Sequence, residues 1–432
     1  MQKCSSIAII GSGITGLSAA WHLHPNLRVF VFEKNNFLGG HTHTHSLDFK
    51  NKIIHVDSGF IVFNKINYPN FTKWLCDLGV KYCKSDMSFS FSLDKGKFEW
   101  GGRTPISLFG QPKNIFSPAI YSMVLDILKF NKISKRFLSS NYSEEITIEN
   151  FLERNHFGIS FKKNYLLPMA ASIWSTPTKK ILEYPAKNFI AFFKNHGLLS
   201  IFNHHQWYSI EDGSNSYIKK FINHCKTNNI SLLTKHEVKK TTFSSNEKKV
   251  LVKGINKNDN SEFSMPFDAV FFACHPDQAA KIISQNLSLL NPLNKIKYQT
   301  NTGYLHCDES LMPKRKVIWS SWNYLSDRNT KSYEDKISLT YWMNKLQKLK
   351  TRKNIFVTLN SSEPRDKTKI FKKLCYEHPI FDFGAINAVK EVKSIQGENN
   401  FWFGGAWMGN GFHEDGFISG KNIAHEINKR FI

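Results

Sequence analysis

Ser6-Ile7-Ala8-Ile9-Ile10-Gly11-Ser12-Gly13-Ile14-Thr15-Gly16-Leu17 opens the chain with a short β-branched run that breaks into glycines spaced G-x-G-x-x-G. Four apolar residues stopped by glycine predict a buried strand, and the helix formers at 17–23 predict the helix leaving it. Each glycine has a reason: Gly11 permits a tight turn, Gly13 lets bare backbone approach a pyrophosphate, and Gly16 lets helix and strand pack closely. Ser12, Ile14 and Thr15 complete the nest, where free N–H groups at the positive end of the helix hold the phosphate. A second apolar run, Arg28-Val29-Phe30-Val31-Phe32, closes a strand–helix–strand unit. It delivers Glu33, an acceptor for a ribose hydroxyl, 33 − 13 = 20 residues beyond the middle glycine. Spacing and context together predict a dinucleotide site.

NAD and FAD share adenosine and pyrophosphate, so this unit does not choose between them. The next stretch, Glu33-Lys34-Asn35-Asn36-Phe37-Leu38-Gly39-Gly40-His41-Thr42, adds a glycine pair through which a second loop can reach the same pyrophosphate. Few NAD dehydrogenases have this feature. With these residues the chain resembles the amine-oxidase-like FAD family, which includes monoamine oxidases, protoporphyrinogen oxidase and phytoene-type desaturases. Relatives usually carry Arg after the glycine pair; His41 stands there instead, leaving open which side chain neutralises the phosphate.

The resemblance implies FAD as cofactor and further site residues. Val56-Asp57-Ser58-Gly59-Phe60 looks like the segment where backbone passes the flavin, at Gly59 and Phe60. Val238 is similar to the valine whose backbone meets adenine, and the run 267–274, ending at Cys274, looks like a buried strand of the FAD domain. Near the C-terminus, Phe401-Trp402-Phe403-Gly404-Gly405-Ala406-Trp407 and Gly411-Phe412-His413-Glu414-Asp415-Gly416, followed by a helix from Phe417, look like the C-terminal flavin motif. There a helix N-terminus favours negative charge on the reduced ring. Gly405, Ala406, Phe412, Asp415, Gly416 and Phe417 are the expected contacts. Most relatives place an acidic ribityl ligand where Trp407 lies, and Glu414 or Asp415 is the candidate substitute. Segments 301–306, 319–324, 340–347 and 411–416 resemble one bacterial branch of the family, found beside, or in plants fused to, cyclopropane-fatty-acid synthases. That neighbourhood implies a lipid substrate and a synthase-like partner by association only.

Composition sets the outer bounds. Of 432 residues, 41% are hydrophobic and 22% charged, which excludes a disordered or fibrous chain. The formal charge is +23. An anionic membrane would explain it, as would biased codon usage. Nucleic acid is not expected, since the stretches 129–136 and 345–353 do not interleave aromatics with their lysines. Seven cysteines without a CxxC pair fit a reducing cytoplasm. Glycines interrupt the only signal-like stretch, and no segment supplies about 20 uncharged apolar residues for a spanning helix.

The expected fold class is α/β: a Rossmann-like, glutathione-reductase-like FAD-binding domain with an inserted α+β substrate domain. Residues 1–70, 207–276 and 383–432 make the former. A helical insertion at 71–206 and a sheet insertion at 277–382 make the latter. In the first insertion Ile120, Met123, Val124, Ile127 and Leu128 share a helical face, and Lys129, Lys132, Lys135 and Arg136 follow; packing on its own domain and lying on an anionic bilayer are both open to such a helix. In the second, Tyr304 to Cys307, Lys316 to Trp319, Ile337 to Trp342 and Ile355 to Leu359 read as strands.

Hydride transfer to a flavin needs no dedicated nucleophile, and no convincing Ser/His/Asp or Cys/His constellation is present. Desaturation would add a base, for which His413 and Glu414 are the candidates; capping the helix is their alternative role. Trp319, Trp322, Tyr341 and Trp342 are candidates for an apolar substrate slot or for core. His41, His43 and His45, with His55, invite a metal reading, but carboxylates at ligand spacing are missing and no metal is expected. His204 and His205 point to opposite faces of a strand and make no site. The expected function is an FAD-dependent oxidoreductase acting on an apolar or amphipathic small molecule or lipid. Alternatives are an amine oxidase, a non-catalytic flavin-binding partner of a lipid-modifying enzyme, and an NAD-dependent dehydrogenase.

Overall fold

The computed structural model describes residues 5–49, 52–140, 145–200, 205–284, 287–327, 336–361, 364 and 366–432. Cys4 and His204 lie outside them. A five-stranded parallel sheet organises one half of the molecule. Its order is Ile230–Leu233, β2 (Arg28–Phe32), β1 (Ser6–Ile10), Ala269–Phe272 and Phe401–Phe403, so the strands come from three separate stretches of chain. Ile7 is in register with Val29 on one side and Ala269 on the other.

Apolar runs were needed here because both faces of the sheet are covered. Ile7 and Ile9 face a core shared with helix α1 (Ile14–His22) and the C-terminal helix His413–Phe431. Ala8 and Ile10 face the opposite core, shared with Val250 and Val252 of a three-stranded antiparallel sheet and with Ala388 and Val392 of the helix Phe383–Ser394. α1 and the C-terminal helix cross almost backbone to backbone, since a Cβ added at Gly420 would lie 2.1 Å from Thr15 O.

A seven-stranded sheet organises the other half, in the order Ile370–Pro379, Tyr298–His306, Phe356–Leu359, Lys336–Trp342, Trp322–Asp327, Phe89–Leu93 and Phe98–Gly101. Its last two strands belong to the insertion read as helical. Phe89-Ser90-Phe91-Ser92-Leu93 alternates with period two, and burying Phe91 and Trp100 against Tyr324 draws this hairpin into the sheet. A further strand in that insertion, Tyr82–Ser85, pairs with Trp207–Ile210, and its regular structure from 105 onward is helical, with Phe130, Phe151, Phe161, Phe189 and Phe193 filling a core of their own. Of the expected strands in the second insertion, Lys316–Ile318 is instead a 3-10 turn; Trp319 folds back so that its Nε1 donates to Pro313 O at 2.8 Å.

The long helix Pro118–Ser139 forms where the periodicity placed it. Ile120 and Met123 are buried, whereas Leu128 is 49% exposed, so the buried stripe is narrower than the apolar one. Trp319 and Trp342 pack with Met312 and Phe356, and Trp322 meets Tyr341 edge-on at 4.8 Å; all four aromatics lie in or against core clusters. Among the described residues the cysteines are free thiols, and no helix is long and apolar enough to cross a membrane.

Candidate functional site

At the end of β1 the chain turns through Gly11, whose φ of +106° suits only glycine and whose Cβ would meet Ala273 O at 2.8 Å. Gly13 then caps α1 with open space around it, and neither a side-chain cap nor an acidic residue occupies the first turn. The N–H groups of Ile14 and Thr15 are therefore left for an incoming acceptor. The glycine pair lies directly against this nest: Gly39 N donates to Ser12 O at 3.0 Å, and a Cβ at Gly40 would lie 3.2 Å from Gly13 Cα. Glu33, buried at the end of β2, accepts from Ser12 Oγ at 2.6 Å and from Asn35 N at 2.9 Å. Lys34 beside it is exposed. The strand carrying Val238 continues from this edge, with His236 N donating to Glu33 O. Cys274 lies on the other flank, its N 3.3 Å from the Gly11 Cβ position, and burial pushes its thiol up to about 12.

His41 turns inward. Its ring sits 5.3 Å from Tyr376, 5.6 Å from His378 and 6.5 Å from His275, and its buried Nε2 has no hydrogen-bond partner. Burial, then the neighbouring His275, lowers His41 to about 4; burial likewise lowers His275 to about 4 and His378 to about 3. All three imidazoles are neutral at pH 7. His43 instead stacks on Phe37, and His45 Nε2 bonds Ser58 Oγ at 2.7 Å. His43 and His45 lie side by side at 4.2 Å while His41 points elsewhere, and no group of three metal-binding side chains occurs among the described residues.

Asp57 anchors the neighbouring loop, accepting from Ser214 N, Ser214 Oγ and Gln347 Nε2 at 2.7–2.9 Å, while burial raises its carboxyl to about 6. Gly59 passes so close to His41 that a Cβ would lie 2.1 Å from its carbonyl oxygen. Phe60 then stacks on His413, centroids 3.7 Å apart and planes within 8°.

At the C-terminal end the strand Phe401–Phe403 runs through Gly404 and Gly405 into the turn Ala406–Met408. Trp407 buries its indole over Gly405 within the second core. Both nearby carboxylates accept backbone N–H groups at helix starts. Asp415 Oδ2 accepts from Phe412 N at 2.9 Å and Asn410 N at 3.1 Å, capping its own helix; burial raises it to about 6. Glu414 accepts from Asn70 N, Asn70 Nδ2 and Phe71 N at 2.8–3.0 Å, capping helix α2 (Pro69–Asp77), whose residue Tyr68 provides no side-chain cap. The structure thus gives Glu414 an anchoring job and leaves it no free oxygen to act as a base.

His413 is the remaining candidate. Its Nε2 lies 2.9 Å from Tyr217 Oη, which in turn is hydrogen-bonded to Thr42 Oγ1, so a buried relay ties the C-terminal helix to the glycine-pair loop. Burial lowers His413 to about 3, making it neutral and a weak base. Gly416 brings that helix onto α1, its Cβ position 2.8 Å from Ile14 Cγ2, and Ser18 Oγ donates to Phe417 O at 2.7 Å. Phe412 stacks on Phe192 at 4.9 Å. A cleft of about 280 Å³ opens beside this turn, lined among others by Trp407, Met408, Asn410, Ile380, Phe381 and Ile386.

Sequence reasoning missed Tyr217, His275, Tyr376 and His378. The last two had a signal, since Leu374, Tyr376 and His378 alternate along one strand. Tyr217 looked like any core aromatic of its helix.

Residues 9–78 match the NAD(P)-binding Rossmann-like domain family. Protoporphyrinogen oxidase of Dictyostelium discoideum is 27% identical in an alignment of 193 residues that covers 39% of this chain and 34% of that protein. The match therefore spans about a third of the relative's length. Over nearly full length the fold is similar to cyclohexylamine oxidase from Brevibacterium oxydans IH-35A, with a TM-score of 0.67 and 13% identity, covering 99% of both chains. It is similar as well to the CLA-producing fatty acid isomerase from P. acnes, with a TM-score of 0.65 and 14% identity, covering 99% of both.

Proposed function

We propose that this chain, which has the fold of the amine-oxidase-like FAD-dependent oxidoreductases, is itself such an enzyme, acting on an apolar or amphipathic substrate such as an acyl chain or lipid. One observation carries the reading: residues from opposite ends of the sequence share one site. Gly416 lies on Ile14 and Thr15, so the N-terminal turns of α1 and of the C-terminal helix stand side by side, with Gly39 and Gly40 closing over Gly13 between them. The residues present fit FAD. α1 starts without a side-chain cap, His41 Nε2 is a buried polar atom without a partner, and a Cβ at Gly40 would fill the cradle.

When bound, FAD supplies a hydride acceptor at N5 of its ring. Ile14 and Thr15 N–H groups hold the pyrophosphate, with the positive end of α1 offsetting its charge. Glu33 exchanges Ser12 Oγ for a ribose hydroxyl, and Val238 and Cys274 flank the adenosine half. His41 stands where relatives place a guanidinium, and burial holds it neutral, so it brings no positive charge to the pyrophosphate. Gly59, Phe60, Gly405, Ala406 and Phe412 line the ring end, and the first turn of the C-terminal helix favours negative charge there. The packed aromatics Phe60, Phe192 and Phe412 exclude water. Where the reaction is a desaturation, the second hydrogen leaves as a proton, and His413 Nε2, paired with Tyr217 Oη, would take it up only by relay through that hydroxyl.

The acyl substrate, a synthase-like partner and a cytoplasmic setting at a membrane surface rest on the sequence resemblance, the cysteine content and the positive charge. An absorption spectrum of the purified protein, before and after heat release of the cofactor, followed by anaerobic addition of candidate substrates, tests the reading. A flavin spectrum bleached by acyl lipids is expected. Bleaching by polyamines alone would make the chain an amine oxidase, and reduction by dithionite alone with a co-purifying partner would make it non-catalytic. A colourless protein that binds NAD would overturn the cofactor assignment.

A further inference from the structure

Large apolar side chains are not exposed at random in this protein. Thirteen are exposed among the described residues, and eight of them belong to one region: Ile106, Ile115, Phe116, Tyr121, Leu125, Leu128, Ile159 and Val317. The most prominent are Phe116 at 85%, Ile106 at 74% and Leu125 at 66%. Contacts show that this is one surface. Tyr121 Oη donates to Ile115 O at 2.7 Å, Phe109 next to the helix Pro105–Leu108 meets Tyr121 at 6.4 Å, and Ser160 Oγ donates to Ala119 O at 2.8 Å, bringing Ile159 alongside. Scattered single exposures need no explanation, but a contiguous apolar patch of this kind does.

Charge identifies what covers it. Along the outward face of the helix Pro118–Ser139, Tyr121, Leu125 and Leu128 are followed at helical spacing by exposed Lys132, Lys135 and Arg136, so one stripe is apolar in its first half and cationic in its second. From residue 102 to 139 the chain holds six basic residues, Arg103, Lys113, Lys129, Lys132, Lys135 and Arg136, against one acid, Asp126. Asp126 is occupied, accepting from Gly158 N at 2.9 Å. Against a second copy of this chain the patch would set six cations opposite six. An interface of hydrocarbon beneath anionic headgroups matches both halves of the stripe.

We infer that the surface formed by residues 105–128, with Ile159 and Val317, docks on an anionic lipid bilayer, Phe116, Ile106 and Leu125 entering the acyl boundary while the flanking lysines and arginines engage headgroup phosphates. This deepens the lipid reading above and rests on it for its purpose, but its geometry does not involve the flavin site.

The test is flotation of the holoprotein with vesicles of phosphatidylglycerol and phosphatidylcholine, or of phosphatidylcholine alone. Wild type is expected to float with the anionic vesicles and to be partly released by salt. Phe116→Glu/Leu125→Glu is expected to lower the vesicle partition coefficient roughly tenfold or more, and Lys132→Glu/Lys135→Glu to weaken it only for anionic vesicles. Ile53→Glu, at another exposed site, is expected to change nothing. Flavin content and melting temperature are read on every variant, so a folding defect or a failed cofactor assignment is distinguished from failed docking. Wild type that does not float, flotation unchanged by Phe116→Glu/Leu125→Glu, or a vesicle-indifferent oligomer dissolved by that pair would overturn the proposal.

Discussion

Glu414→Ala separates an anchoring carboxylate from a chemical one. Glu414 is 6% exposed, and its oxygens accept three hydrogen bonds from the first turn of α2, including those from the N–H groups of Asn70 and of fully buried Phe71. Pro69 begins that helix and Tyr68 does not cap it, so removing the carboxylate leaves the buried Phe71 N–H and the part-buried Asn70 N–H without their acceptor. Hydrogen bonds to a charged acceptor are worth about 1.5–3 kcal/mol each, and shared partners reduce the sum, giving a destabilisation of about 3–4 kcal/mol. With an unfolding entropy of about 2.1 cal/mol/K per residue, and a cooperative unit between roughly half the chain and all of it, the melting temperature should fall by about 4–8 °C. Glu414→Gln keeps one acceptor and should lose about half as much. The assay is thermal unfolding of the loaded protein by circular dichroism, beside the rate of flavin reduction. A melting temperature within 1 °C of wild type, with reduction slowed by orders of magnitude, would refute the anchoring role.

Gly420→Ala should destabilise by about 2–3 kcal/mol and loosen cofactor retention, because its Cβ would lie 2.1 Å from Thr15 O and must push apart the two helices that frame the site. Gly79→Ala is the control: nothing lies near its Cβ although φ is +66°, so it should cost only backbone strain and leave the cofactor in place. Acid should destabilise the apoprotein well above the carboxylate range. His413 titrates at about 3 when folded against 6.5 unfolded, so the unfolded chain takes up the proton first; its contribution is complete above pH 6.5 and is lost as pH falls toward 3. By pH 5 that group alone removes about 2 kcal/mol. Urea midpoints at pH 7.5 and 5.0 should show this, and His413→Asn should reduce the difference by about 2 kcal/mol while the parts due to buried His41, His275 and His378 remain; an unchanged pH dependence in that variant would show that His413 is not buried as described.

Local features of the chain carried the dinucleotide half of the site. A strand that ends in glycines, a helix that begins without a cap and an acid after the second strand lie within about 30 neighbouring residues, so spacing alone sets their geometry. The same holds for the parallel strands, whose uninterrupted apolar runs require two covered faces. Legibility ended where a side chain's role depends on a distant partner. Glu414 and Asp415 are adjacent and both acidic, yet one caps a helix more than 340 residues away and the other its own. The same limit applies to the histidines: period two placed His41, His43 and His45 on one face, whereas His41 turns toward His275 and His378 from distant segments.

What the sequence by itself determined is therefore a nucleotide-binding start, a helix-forming end and the apolar content to bury a sheet, all consequences of short-range backbone sterics and of hydrophobic period. Tertiary structure supplied the packing of the two ends on each other at Gly416 and Ile14, which the sequence suggested only through the resemblance, drew Phe89–Leu93 and Phe98–Gly101 into the larger sheet, and left eight apolar side chains from separate segments outside on one cationic face. The physical reason is common to all three: burial and hydrogen-bond partnership are properties of packing between remote segments, and no window along the chain contains both partners.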